Sequence, residues 1–215
     1  MLDRLIEWCY TDDLGSEAAT GIAVILHQDE MILNRKSHAT ISILYRQRIF
    51  HHCAPRLIAH QNDLYCLVAL SHILVHTPTQ VPASEISKLL PAMTQALRTV
   101  DHEELVLSMM EVAQSIIPFE NSNDSQQLNS LLDALLALTI DHDKTKIRRN
   151  ALRCLSRYAQ VAQSTKKIEM LRLYVPKVIK RLGMALDDKK RLVRKEAVDC
   201  REQWYMLLLL LDNGK

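Results

Sequence analysis

Residues 186–204 read LDDKKRLVRKEAVDCREQW. Two aspartates close one apolar segment and open another, in which Val193, Ala197, Cys200 and Trp204 recur at i, i+4, i+7 and i+11 and so share one helical face. The segment just before, residues 170–186 (MLRLYVPKVIKRLGMAL), has leucine or isoleucine at helical spacing and a proline, Pro176, one turn in; the two segments make a helical hairpin. Counting back 46 residues from Asp187 reaches Asp141 and DHDKTKIRRNALRCLSRY, which aligns without a gap. Ile147 falls on Val193, Arg148 on Arg194, Arg149 on Lys195, Ala151 on Ala197, Cys154 on Cys200 and Tyr158 on Trp204. The chain repeats itself.

The same alternation continues toward the N-terminus. Residues 128–140 supply the first helix of the Asp141 hairpin, behind a loop at 118–125 (PFENSNDS). Residues 85–99 align Leu89, Leu90, Met93 and Leu97 around Pro91, with Ser84 as the expected N-cap, and Asp101 with Glu104 three positions on predicts a capped helix reaching Ile117. Polar residues 77–83 (TPTQVPA) punctuate the chain before it. The hairpin before that comprises residues 39–50 and 63–75, with Pro55 leading to a turn near Gln61 and Asn62; residues 27–38 read as a connector or short helix. Residues 2–10 and 16–26 form the first hairpin, and it begins so abruptly that Met1 reads as a cut within a longer protein.

Second helices therefore open near Ser16, Asp63, Asp101, Asp141 and Asp187, at spacings of 47, 38, 40 and 46 residues. Such recurrence is that of HEAT or armadillo solenoids, where each helix pair hides its apolar faces only by stacking on its neighbours. Prolines in first helices (Pro91, Pro176) and the pairs Ile147-Arg148 and Val193-Arg194 after an aspartate favour the HEAT type. The expected fold is all-α, an α-solenoid of about five HEAT-type hairpins forming a single domain over residues 1–215.

Composition agrees with helix. With 48% hydrophobic residues the chain can bury a core, while 4 glycines and 6 prolines leave little turn chemistry for an all-β protein. Five cysteines without a close pair, no secretory leader at Met1 and no apolar run near the roughly 20 residues of a membrane span predict a soluble chain in a reducing, intracellular compartment. The net charge of +2 conceals an asymmetry: residues 144–195 carry +14 and the rest of the chain −12. That segment is expected to meet something acidic.

Few residues are candidates for chemistry. His72 and His76, at i and i+4, have the spacing of two zinc ligands but lack a third, and His51, His52 and Cys53 are adjacent and so point to different helix faces. Both sets read as structural. Cys154 and Cys200 occupy equivalent apolar positions and read as packing. There is no glycine-rich phosphate loop, GxSxG or HExxH, so neither an enzyme nor a cofactor is expected. The stronger signal is cationic. Arg149, Arg153 and Arg157 recur every four residues off the apolar face, and Arg191, Arg194 and Lys195 fall in the matching region one repeat later. Stacked second helices would set them side by side, making Arg148, Arg149, Arg153, Arg191, Arg194 and Lys195 the candidate partner contacts. Arginine forks onto carboxylates and phosphates alike, so acidic protein and nucleic acid both qualify. Protein is favoured, because Tyr158 and Trp204 are predicted on the core face and leave few aromatics for stacking bases.

Four stretches, YRQRIF at 45–50, KIRRNALRCL at 146–155, LYVPKVIKRLGMALDD at 173–188 and LDDKKRLVRKEAV at 186–198, resemble the C-terminal region of the methyl-methanesulfonate-sensitivity HEAT-repeat family. The resemblance covers residue 40 to the end. It implies a C-terminal piece of a larger solenoid acting as a non-enzymatic adaptor of the cytosolic iron–sulfur cluster targeting complex. The implied partners are a WD40 propeller, a small DUF59-type subunit with an acidic loop, and apo iron–sulfur clients such as helicases, primase and polymerases. The implied setting is cytoplasmic and nuclear, in DNA repair and transcription, with direct nucleic-acid binding by the basic ridge as the alternative. Residues 206–211 are more apolar than the family pattern; they are expected to cap the last repeat or to be covered by a partner.

Overall fold

The computed structural model describes residues 1–11, 13–27, 41–116, 125–140, 142–165 and 168–213. Five helical hairpins follow one another: α1 (Leu2–Thr11) with α2 (Gly15–Leu26), α3 (Ile43–Ala59) with α4 (Leu64–His76), α6 (Ile86–Arg98) with α7 (Glu103–Ile116), α8 (Ser125–Leu138) with α9 (Thr145–Thr165), and α11 (Val175–Ala185) with α12 (Arg191–Asn213). Two short helices, α5 (Gln80–Ser84) and α10 (Ile168–Leu171), join neighbouring hairpins. The described residues contain no strand.

The second helices stack in sequence order, α2 on α4, α4 on α7, α7 on α9 and α9 on α12, and the first helices α1, α3, α6, α8 and α11 form a parallel layer in the same order. This is the solenoid expected from the repeat spacing. Its core lies between the layers, where Ile22, Phe50, Leu57, Leu70, Leu90 and Met93 are fully buried. Helix α4 has neighbours on several sides and is accordingly apolar nearly all round, burying Cys66, Leu67, Ala69, Leu70, Ile73 and Leu74. Gly15 opens α2 where a Cβ would sit 2.4 Å from the Tyr65 ring, so only glycine lets α2 approach α4 this closely.

Four local expectations are corrected. The helix predicted to end at Phe50 runs on through Pro55 to Ala59: one lost backbone bond is outweighed because Cys53, Ala54 and Leu57 are buried on the turns around it. Its N-cap is Ser42, whose Oγ accepts from the Tyr45 amide at 3.1 Å. Ser84 does not cap α6, since it ends α5 and donates its hydroxyl to the Val81 carbonyl. At α7 the cap is His102 rather than Asp101, its Nδ1 accepting from the Leu105 amide at 3.3 Å. The segment 170–186 breaks after α10, where the Tyr174 amide closes a turn on the Leu171 carbonyl, and Pro176 falls in the first turn of α11, where a helix needs no donor. The expected connector at 27–38 and loop at 118–125 fall, but for His27 and Ser125, outside the described residues, as does Asp141.

Candidate interaction surface on the last two repeats

Helices α9 and α12 pack along their length, and the aligned residues meet as the repeat requires. Val193, Ala197, Cys200 and Trp204 are fully buried, as are Ile147, Ala151 and Cys154. The Trp204 indole stacks near Tyr158, centroids 6.4 Å apart, and donates its N–H to the Leu155 carbonyl at 3.1 Å. Gln163 adds a bond from its carboxamide to the Gln203 carbonyl.

The arginines that follow the turns are structural. Arg148 donates one terminal nitrogen to the His142 and Asp143 carbonyls at 2.7 and 2.8 Å. Arg194, 46 residues on, donates to the Asp188 carbonyl at 2.6 Å, the same six-residue reach backwards. Each arginine thus locks the turn before its own helix. Arg148 also forks onto the Asp188 carboxylate, Nε to Oδ2 at 2.7 Å and the second terminal nitrogen to Oδ1 at 3.0 Å, and is only 8% exposed. Burial works to raise the Asp188 pKa, but the Arg148 fork, the Lys190 amide and the charges of Arg148 and Arg194 outweigh it and hold the carboxyl below its ordinary value.

Arg149 and Arg153 converge on Glu196 of α12, at 3.0 and 2.6 Å. Burial alone would raise the Glu196 pKa; the bonds from Arg153 and Arg149 reverse it and lower it. The sequence comparison missed this acid because it stands just past the basic segment, opposite Asn150 of the previous repeat, where no charge marks the position. The signal was an acid at the repeat position that falls between those of Arg149 and Arg153. The structure therefore sets Arg148, Arg149, Arg153 and Arg194 against groups of the chain itself, and Arg191 and Lys195 in solvent.

What solvent meets on α12 is a continuous stripe. Arg191, Lys195, Val198, Glu202, Tyr205 and Leu209 alternate at spacings of four and three, all exposed, with Met206 and Leu210 beside them. The apolar tail divides: Leu207 and Leu211 are buried on the last repeat, while Met206, Leu209 and Leu210 face out. Arg201 lies over the Tyr205 ring and bonds its hydroxyl at 2.9 Å. A second part of the positive charge lies elsewhere, since Lys177, Lys180 and Arg181 line a cleft of about 430 Å³ between α8 and α11.

The remaining candidates are placed apart. His52 reaches Asp3 of α1 at 2.9 Å, His51 turns toward Glu85 and Cys53 is buried in the core. His72 and His76 are half-buried on α4, and desolvation by burial is the main cause lowering the pKa of each. Among the described residues no three of His, Cys, Asp and Glu are grouped to hold a metal ion. Burial pushes the Cys154 thiol up to about 12 and Cys200 higher still. No helix in the described residues is long and apolar enough to cross a membrane.

The fold and this surface define a HEAT-type repeat array with its last helix partly bare. A family model described as RNAPII transcription regulator C-terminal matches residues 1–159, and the chain belongs to that family. The MMS19 nucleotide excision repair protein homolog of Danio rerio is 35% identical over 96% of this chain and 20% of its own length. The Homo sapiens homolog of that name is 31% identical over 95% of this chain, and the DNA repair/transcription protein mms19 of Schizosaccharomyces pombe 27% over 94%. The chain spans about a fifth of the length of these relatives. Two engineered proteins superpose with TM-scores of 0.49 at 13% and 16% identity, covering 96% and 95% of this chain and 97% and 98% of theirs.

Proposed function

We propose that this chain is a non-enzymatic docking module, part of a longer solenoid, that holds partners together in DNA repair and transcription. Its finer role is that of an adaptor in cytosolic iron–sulfur cluster targeting, engaging a WD40 propeller and a small DUF59-type subunit in cytoplasm and nucleus and bringing them to apo clients such as helicases and polymerases. The observation that carries the reading is the α12 stripe, where the exposed cations Arg191 and Lys195 continue into exposed Val198, Tyr205 and Leu209. Arginine and tyrosine beside aliphatic surface is the composition of an interface centre, and the cations suit an acidic partner. The relatives' names support the repair and transcription setting.

The test is capture of the purified propeller and small subunit by the full chain carrying Arg191→Glu, Lys195→Glu, Tyr205→Ala and Leu209→Asp, all exposed positions. Loss of capture with an unchanged melting curve is expected, each contact at an interface centre costing about 2 kcal/mol. Undiminished capture by the quadruple variant would remove the stripe from the interface. Direct nucleic-acid binding is the second reading, favoured by exposed Lys189, Lys190, Arg191 and Lys195 around one turn. It predicts affinity that falls steeply with salt. It is weakened by the placement of Tyr158 and Trp204 in the core, where neither can stack on a base.

A further inference from the structure

A separate site lies in the layer of first helices, away from the basic turns. The turn between α3 and α4, helix α6 and the start of α8 enclose a cleft of about 290 Å³. Its walls are amide-rich, with Gln61 and Asn62 from the turn, Gln95 from α6 and Gln127 from α8, and Arg98 at the rim brings the positive charge. Arg98 is exposed and has no partner among the described residues.

One residue there departs from the habit of this chain. Threonines and serines at its helices return their hydroxyls to the preceding turn: Thr77 donates to the Ile73 carbonyl at 2.6 Å, Thr99 to Gln95 at 3.2 Å and Thr139 to Leu136 at 2.7 Å. Thr94 does not. It is 6% exposed, lines the cleft, and its Oγ1 is buried with no hydrogen-bond partner, as is Oε1 of Gln61 on the facing wall. A buried polar atom left without a partner destabilises the fold, and two of them share this one small cleft, where a ligand can meet them.

We infer that this cleft binds a short extended peptide segment bearing a carboxylate. Carboxamides and hydroxyls both donate and accept, which matches the paired N–H and C=O of a main chain. Arg98 supplies a fork for one carboxylate. The alternative anion, a phosphate, carries up to two charges and would meet one arginine and no lysine here. The inference is independent of the α12 stripe and stands or falls apart from it.

The probe is the capped pentapeptide acetyl-Ala-Ala-Asp-Ala-Ala-amide, titrated into the isotopically labelled full chain while the side-chain amide resonances of Gln61, Asn62, Gln95 and Gln127 are followed. Saturable shifts of these resonances are expected at up to about 10 mM peptide, with affinity lowered about tenfold by Arg98→Gln or by Asn in place of Asp in the peptide. Thr94→Val separates binding from folding: it removes the orphaned hydroxyl, so it is expected to weaken the peptide while leaving the melting temperature equal or higher. Absence of saturable shifts overturns the proposal, as do shifts indifferent to both Arg98→Gln and Thr94→Val. Inorganic phosphate moving the same resonances at lower concentration than the peptide also overturns it, making the cleft an anion site.

Discussion

Asp188 is where the last two repeats are tied, accepting two bonds from Arg148 of α9, one from the Lys190 amide, and offering its carbonyl to Arg194. Removing one partner of so enclosed a pair leaves the other charge without compensation, which costs about 3–5 kcal/mol. Arg148→Met is therefore expected to lower unfolding free energy by about that amount in denaturant titration, and Arg148→Met with Asp188→Leu to recover part of it, because the double change buries no charge but still strips the His142 and Asp143 carbonyls and the Lys190 amide of their side-chain partners. The pH dependence follows from the same pair. The folded pKa of Asp188, and of Glu196, lies below the unfolded value, so their contribution is complete only above about pH 5 and is lost as pH falls through the unfolded and then the folded value. Melting temperature is expected to decline below about pH 5, with a shallower decline in Asp188→Asn. A decline unaltered by Asp188→Asn would place the acid sensitivity elsewhere. The repeat alignment exposed Arg148 and Arg194 as a pair, yet their role was not legible in it, because charge alone does not tell a guanidinium folded back on its own turn from one facing solvent.

Among the elements, α12 shows how one helix answers to two environments. Its buried face, Val193, Ala197, Cys200, Trp204, Leu207 and Leu211, continues the period read from the first three turns, and this was legible because burial imposes spacing. The exposed face was not legible, since Met206, Leu209 and Leu210 look like core residues until the neighbour that would cover them is sought. Helix α3 failed in the opposite sense, for Pro55 reads as a stop in the sequence and is carried through by the burial of the residues around it. Trp204 is the largest fully buried side chain and joins α12 to α9 by both stacking and its indole N–H. Trp204→Ala is expected to cost about 3–5 kcal/mol and Trp204→Phe less; both lose the bond to Leu155, so the difference between them measures the packing that the phenyl ring keeps. Equal costs in denaturant titration would show that packing volume at this position hardly matters.

At the scale of the molecule, each hairpin touches mainly the hairpins before and after it, so stability is a sum of repeats and of the interfaces between them rather than one core that fails together. The clamp from Arg148 to Asp188 belongs to one such interface, that between the fourth and fifth hairpins. Weakening it removes coupling from one end of the stack while the α2, α4 and α7 interfaces keep their contacts. Asp188→Asn is accordingly expected to speed amide hydrogen exchange in α11 and α12 strongly, in α9 moderately, and in α4 not at all. The gradient is the diagnostic quantity. Were exchange to rise equally in α4 and α12, the five hairpins would be unfolding as one cooperative unit, and an interface at the last repeat could not be loosened or secured by a partner without involving the whole stack. With the gradient, a partner seated on the α12 stripe would stabilise the fifth hairpin first and pass a diminishing share inward, so that protection on partner binding mirrors, with opposite sign, the pattern of the Asp188→Asn variant.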